Sequence, residues 1–167
     1  MFLDSIAQVK KEFEEKPNMW LGSPFYWISI LPSRRKGMIG EKILKQQAEL
    51  EKISTKKAKS SDYDLLINNI KVEVKLSLLW EAGTYVFQQI RDQGYDVVAC
   101  IALHPDGTSR LWVIPKAIMM EHCIPQHDPD GINNVLWLHI HANNIPEWMK
   151  TFEYSTVKDA FISIKKG

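Results

Sequence analysis

Cysteine is scarce in this chain: of 167 residues, only Cys100 and Cys123 carry a thiol. Two thiols do not make a disulfide scaffold, so the expected setting is intracellular, reducing and cytoplasmic. Long apolar runs are lacking as well. None approaches the roughly 20 residues that a membrane-spanning helix needs, and no secretory pattern opens the chain. Charge of one sign is also missing. The net charge is +1, so contact with nucleic acid would have to come from local patches. There is no internal repeat and no low-complexity segment. What remains is an ordinary globular composition, 45% hydrophobic and 25% charged, at a length that suits one domain over residues 1–167.

The informative stretch is residues 61–77, S-D-Y-D-L-L-I-N-N-I-K-V-E-V-K-L-S. Asn68-Asn69 is a two-residue turn signal, because Asn tolerates positive φ at both central positions of a type I′ turn. The arm after it alternates. Ile70, Val72, Val74 and Leu76 face one way, and Lys71, Glu73 and Lys75 face the other. A two-residue loop pairs Ile67 with Ile70, Leu66 with Lys71, Leu65 with Val72 and Asp64 with Glu73. Opposed residues share a face with Cβ atoms about 4.5–5.5 Å apart, and like charges so placed repel. Two carboxylates side by side call for a divalent cation that prefers hard oxygen ligands, Mg²⁺ first, with Mn²⁺ as a substitute. Lys75 lies on the same face, where an ammonium would orient water or stabilise charge on phosphorus. The competing reading is a solvated hairpin with surface ion pairs, Asp62–Lys75 and Lys71–Glu73, worth little. A register shift of two would exchange Asp62 for Asp64 without changing faces.

Asp64 followed, after eight residues, by Glu73-Val74-Lys75 resembles the D…(D/E)-x-K signature of the PD-(D/E)xK nuclease superfamily, the restriction endonuclease-like fold. The resemblance extends over roughly residues 37–120. It takes in Gly40-Glu41, Phe87-Gln88-Gln89-Ile90-Arg91, Tyr95-Asp96 and Leu111 through Pro115. One departure is that Tyr63, not proline, precedes Asp64. The resemblance implies an α/β fold in which a short mixed β-sheet is flanked by helices. It implies metal-dependent DNA cleavage, with Asp64 and Glu73 as metal ligands and Lys75 assisting. Glu41 and Gln89 would be further members of the site.

In chain order, residues 3–16 read as a helix whose apolar stripe is Phe2, Ile6, Val9 and Phe13, stopped by Pro17. Residues 18–32, with Trp20, Phe25, Tyr26 and Trp27, read as irregular or a short strand filling core. Arg34, Arg35 and Lys36 form the sharpest basic cluster, read either as phosphate contacts or as a solvated turn, leading into a helix over 38–53. Its expected buried stripe is Ile39, Ile43, Leu50 and Ile53, with Glu41, Leu44 and Ala48 on a second line. Lys56, Lys57 and Lys59 sit in an expected basic loop within reach of a DNA backbone. Residues 81–93 read as a helix capped near Gly83-Thr84 and Gly94, carrying Gln89. The run 97–103 suits a strand buried on both faces. His104-Pro105-Asp106-Gly107-Thr108 reads as a turn, 110–114 as the next strand, and Pro115 as the start of a helix to about 122. The segment 136–141 puts Trp137, His139 and His141 on one face, while Cys123 and His127 make a Cys-x-x-x-His; neither completes a four-ligand zinc pattern. Pro129-Asp130 reads as a turn. From Ile145 on, Trp148, Phe152, Tyr154 and Phe161 form a cap that closes the core or serves dimerisation.

The expectation is a restriction-type DNA endonuclease. The alternatives are a repair or junction nuclease, an RNA endonuclease, or a nucleic-acid-binding module that hydrolyses nothing. Because one site cuts one strand, a double-strand break implies a homodimer, or a heterodimer in which this chain is the cleavage subunit.

Overall fold

In the structure, a computed structural model, residues 2–14, 18–126 and 135–164 are described. His127 and the Pro129-Asp130 turn lie outside them. The elements in order are α1 (Leu3–Glu14), α2 (Tyr26–Ser29), α3 (Ser33–Leu50), β1 (Thr55–Lys57), β2 (Leu65–Ile67), β3 (Ile70–Leu78), β4 (Thr84–Ile90) and β5 (Val97–Leu103). They continue with β6 (Ser109–Pro115), α4 (Lys116–His122), β7 (Ile124–Pro125), β8 (Leu136–His141), α5 (Glu147–Lys150), β9 (Glu153–Tyr154) and α6 (Val157–Ser163). A mixed six-stranded sheet runs β1-β2-β3-β5-β6-β9, and a three-stranded antiparallel sheet runs β4-β8-β7.

The hairpin forms in the expected register, Ile67 with Ile70, Leu66 with Lys71 and Leu65 with Val72. Asn68 and Asn69 both take positive φ, 50° and 66°, as a type I′ turn requires. β3 then runs parallel to β5, the fully buried centre of the sheet. Parallel neighbours need a long crossover, and here it passes through β4. The helix expected over 81–93 is therefore a strand. Thr84-Tyr85-Val86-Phe87 is a β-branched and aromatic run, and β8 pairs with it along its length. The crossover lays β4 on the Glu73–Lys75 face of β3: the Val86 N–H donates to Ser77 Oγ at 2.9 Å.

α3 covers the opposite face of β3. It begins at Ser33, earlier than the sequence suggests, and Gly40, Leu44 and Ala48 form its buried line. Ile39 and Ile43 are only partly buried, Leu50 is 73% exposed, and Ile53 is buried but lies beyond the helix. Leu44 and Ala48 belong to the second of the two expected lines, so that line, joined by Gly40, and not the bulkier stripe faces the strand. A Cβ on Gly40 would stand 2.9 Å from Leu76 Cβ, so glycine sets how closely helix and strand approach. Of the stripe expected along α1, Phe2, Ile6 and Val9 are 65%, 59% and 50% exposed.

The expected basic loop contains edge strand β1, paired with β2. Lysines on an edge deter pairing with other chains. Residues 18–32 contain the short helix α2, with Trp20 buried and Trp27 53% exposed. At the C-terminal end Val157, Ala160 and Phe161 are buried, so α6 closes the core. No helix among the described residues is long and apolar enough to cross a membrane.

Candidate active site

β2 is three residues long and β3 is nine, so beyond Val72 the β2-side edge of β3 has no strand partner among the described residues. A cavity of about 1000 Å³ opens along that edge. The first half of α3 lines it on one side and β4 on the other. Asp64, Glu73, Lys75, Glu41 and Gln89 all line this cavity. These residues are up to 48 positions apart in sequence, from Glu41 to Gln89.

Asp64 stands where the ladder ends. Its backbone N–H donates to the Val72 carbonyl at 2.9 Å, and its Oδ2 accepts from the Val74 N–H at 2.7 Å. The carboxylate thus caps an amide that β2 leaves behind. This corrects the simple picture of Asp64 directly opposite Glu73 in the ladder, since the last paired residues are Leu65 and Val72. The register ambiguity is also resolved. Asp62 is exposed, turns toward Ser60 and lies near Gly94, away from the cavity lining.

Glu73 is 9% exposed, which a surface ion pair would not be. Its Oε1 is 2.8 Å from Lys75 Nζ. That ammonium also donates to the Gln89 carbonyl at 2.9 Å. Gln89 has a φ of 55° and lies where the β4–β8 register slips. The strained bulge aims its carbonyl at Lys75. The sequence pointed to the Gln89 side chain on a helix; the contact to Lys75 comes instead from its backbone on a strand.

Burial raises the pKa of Glu73 above the usual carboxylate range; Lys75 opposes the rise and Asp64 adds to it. Glu41 is raised too, first by burial and then by repulsion from Asp64 and Glu73, with Lys75 opposing. The three carboxylates therefore feel one another, and the lysine does not neutralise them all. The donor set is hard oxygen only, without the nitrogen or sulfur that zinc favours. Among the described residues no three His, Cys, Asp or Glu side chains form a ready-made metal cage.

Of the expected nucleic-acid contacts, Arg34 and Lys36 line the cavity and Arg35 does not. Burial lowers the pKa of Lys36. Lys56, Lys57 and Lys59 are exposed and do not line the cavity. Among the lining residues that no expectation assigned to the site are Ser33, Met38, Trp80 and Gln88. Only Gln88, beside Gln89, carried any signal.

No protein-family model and no curated protein matches this chain. Among solved structures it is similar to a bacterial homing endonuclease, I-Ssp6803I, with a TM-score of 0.55 and 16% sequence identity, covering 81% of this chain and 94% of that one. The mixed sheet flanked by helices is thus a fold that this chain shares with that endonuclease.

Proposed function

We propose that this chain is a metal-dependent endonuclease that hydrolyses phosphodiester bonds in DNA. The observation that carries the reading is the gathering of Asp64, Glu73, Lys75 and Glu41 on one cavity, with Glu73 buried and ion-paired to Lys75 at 2.8 Å. The D…(D/E)-x-K resemblance and the fold shared with a homing endonuclease support it.

Asp64 and Glu73 would hold Mg²⁺, with Mn²⁺ as a substitute. When bound, the ion supplies Lewis acidity toward a phosphate oxygen and a more acidic water. The protein's own residues do the positioning. The Val74 N–H fixes one oxygen of Asp64 and leaves the other for a ligand. Glu73 and the Gln89 carbonyl hold the Lys75 ammonium, which stabilises charge developing on the phosphoryl group or orients the attacking water. Glu41 extends the acidic wall. Arg34 and Lys36 contact phosphates at the cavity wall. A double-strand break would use two copies of the chain, or this chain with a second subunit.

Within this class we favour a restriction-type enzyme. The likeness to a homing endonuclease favours a second reading, an endonuclease of the homing type. The test is a cleavage assay on supercoiled, linear and single-stranded DNA and on RNA, in Mg²⁺, Mn²⁺ or EDTA, with Asp64→Ala and Lys75→Ala proteins alongside. Metal-dependent cutting lost in both variants supports the reading. Many discrete fragments from genomic DNA indicate the restriction type, and few large ones the homing type. Preference for branched DNA or RNA moves the assignment to those classes. A protein that binds nucleic acid but never cuts it, with any metal, is a binding module.

A further inference from the structure

The cavity is far larger than an ion requires. Six waters around a cation fill roughly 200 Å³, against about 1000 Å³ available. Its lining also changes character along β3. The carboxylates and Lys75 sit at the Asp64 end. From Glu73 to Leu78 the strand continues for five residues, about 17 Å, and at the far end stands Trp80. Trp80 is 45% exposed there, and Met38, 50% exposed, lines the cavity as well.

The backbone holds Trp80 firmly. Its N–H donates to the Thr84 carbonyl at 2.9 Å, and its own carbonyl accepts from the Gly83 N–H at 2.9 Å. Gly83 takes a φ of 73° to close this turn. The residue before it is tied to the central sheet, Leu79 N–H to the Leu103 carbonyl at 3.0 Å. The indole is thus mounted on a rigid turn at the end of a trough that also carries Arg34 and Lys36. Cations that track a backbone, joined to an exposed aromatic ring, are the elements from which proteins hold unpaired nucleic acid.

We propose that Trp80 stacks on an unpaired base of the strand whose phosphate lies at the carboxylates. The strand runs along the open edge of β3, and the base that reaches Trp80 has left its pairing partner. This inference rests on the nuclease reading and adds a substrate feature to it, a single-stranded or extruded nucleotide near the cut.

Binding is measured in Ca²⁺ or EDTA, so that it does not depend on cleavage, by fluorescence anisotropy of labelled single-stranded and duplex oligonucleotides. The proteins are wild type, Trp80→Ala, Trp80→Leu and Trp80→Phe. An abasic nucleotide is walked along the strand on both sides of the cut. Loss of one base stack on alanine substitution weakens binding roughly ten- to a hundredfold. Trp80→Ala and Trp80→Leu are expected to lose that factor on single strands, while Trp80→Phe, which keeps a π face, retains most of it. One abasic position is expected to weaken wild-type binding equally and to have no further effect in Trp80→Leu. If Trp80→Leu binds like wild type, or if the abasic and Trp80→Leu losses multiply at every position, the stacking inference is overturned while the nuclease reading stands. If wild type neither binds nor cuts any nucleic acid, both fall.

Discussion

Gly37 and Gly40 lie one turn apart on α3, and the structure gives opposite signs for replacing them with alanine. Alanine in a helix interior is favoured over glycine by roughly 0.5–1 kcal/mol. At Gly37 an added Cβ meets nothing within 4 Å, so Gly37→Ala gains that amount. At Gly40 the Cβ would sit 2.9 Å from Leu76 Cβ and 3.7 Å from Val74 Cγ1. Leu76 Cβ is fixed to the backbone of β3, so the helix has to move. Overpacking of this kind costs about 1–3 kcal/mol, which exceeds the propensity gain and leaves a net loss of about 1 kcal/mol. The two variants then differ by about 2 kcal/mol, or roughly 4–8 °C in melting temperature for a chain of this size. Thermal denaturation followed by circular dichroism reads this directly. Displacing α3 also displaces Glu41, the next residue, so Gly40→Ala is expected to lower cleavage activity. Equal stabilisation by both substitutions would refute the reasoning, because it would mean that α3 does not approach β3 at Gly40.

Other outcomes follow from the carboxylates and the cations. At neutral pH, Mg²⁺ at a hundred times its dissociation constant is expected to stabilise the protein by about 2.7 kcal/mol; a melting temperature unmoved by Mg²⁺, Mn²⁺ and Ca²⁺ alike would count against Asp64 and Glu73 as ligands. Without metal, Glu41 and Glu73 have pKa values raised above those of the unfolded chain, chiefly by burial. The native state then holds more protons than the unfolded state in the window between the ordinary carboxylate pKa and the raised values. Stability should therefore fall as pH rises through that window, and Glu73→Gln should flatten the fall; denaturant midpoints against pH in EDTA test the sign. Arg34→Ala and Lys36→Ala should each weaken DNA binding and reduce the salt slope by about one unit. Lys56→Ala should have less effect, and a salt titration in which all three behave alike would count against a phosphate track confined to the cavity.

The hairpin was legible in the sequence because its determinants are local. Asn68-Asn69 selects the turn, and the alternation from Ile70 to Leu76 sets which side chains share a face. The buried run of β5 and the turn at His104 through Thr108 were readable for the same reason. Thr84 through Ile90 was not, since Val86 and Ile90 fit a helical spacing as well as a strand, and pairing with β8 made the choice. On α3, Leu44 and Ala48 were placed together on one line, but the close approach at Gly40 was not legible, because glycine carries no hydrophobic signal; it is buried for being small. The sequence by itself thus determined that Asp64, Glu73 and Lys75 would lie near one another. Only the tertiary structure decided that they would line one open cavity, with Glu73 buried in its wall. The crossover that lays β4 over Glu73 and Lys75 joins residues that no short-range spacing connects, and it removes the water that would otherwise have made them a surface ion pair.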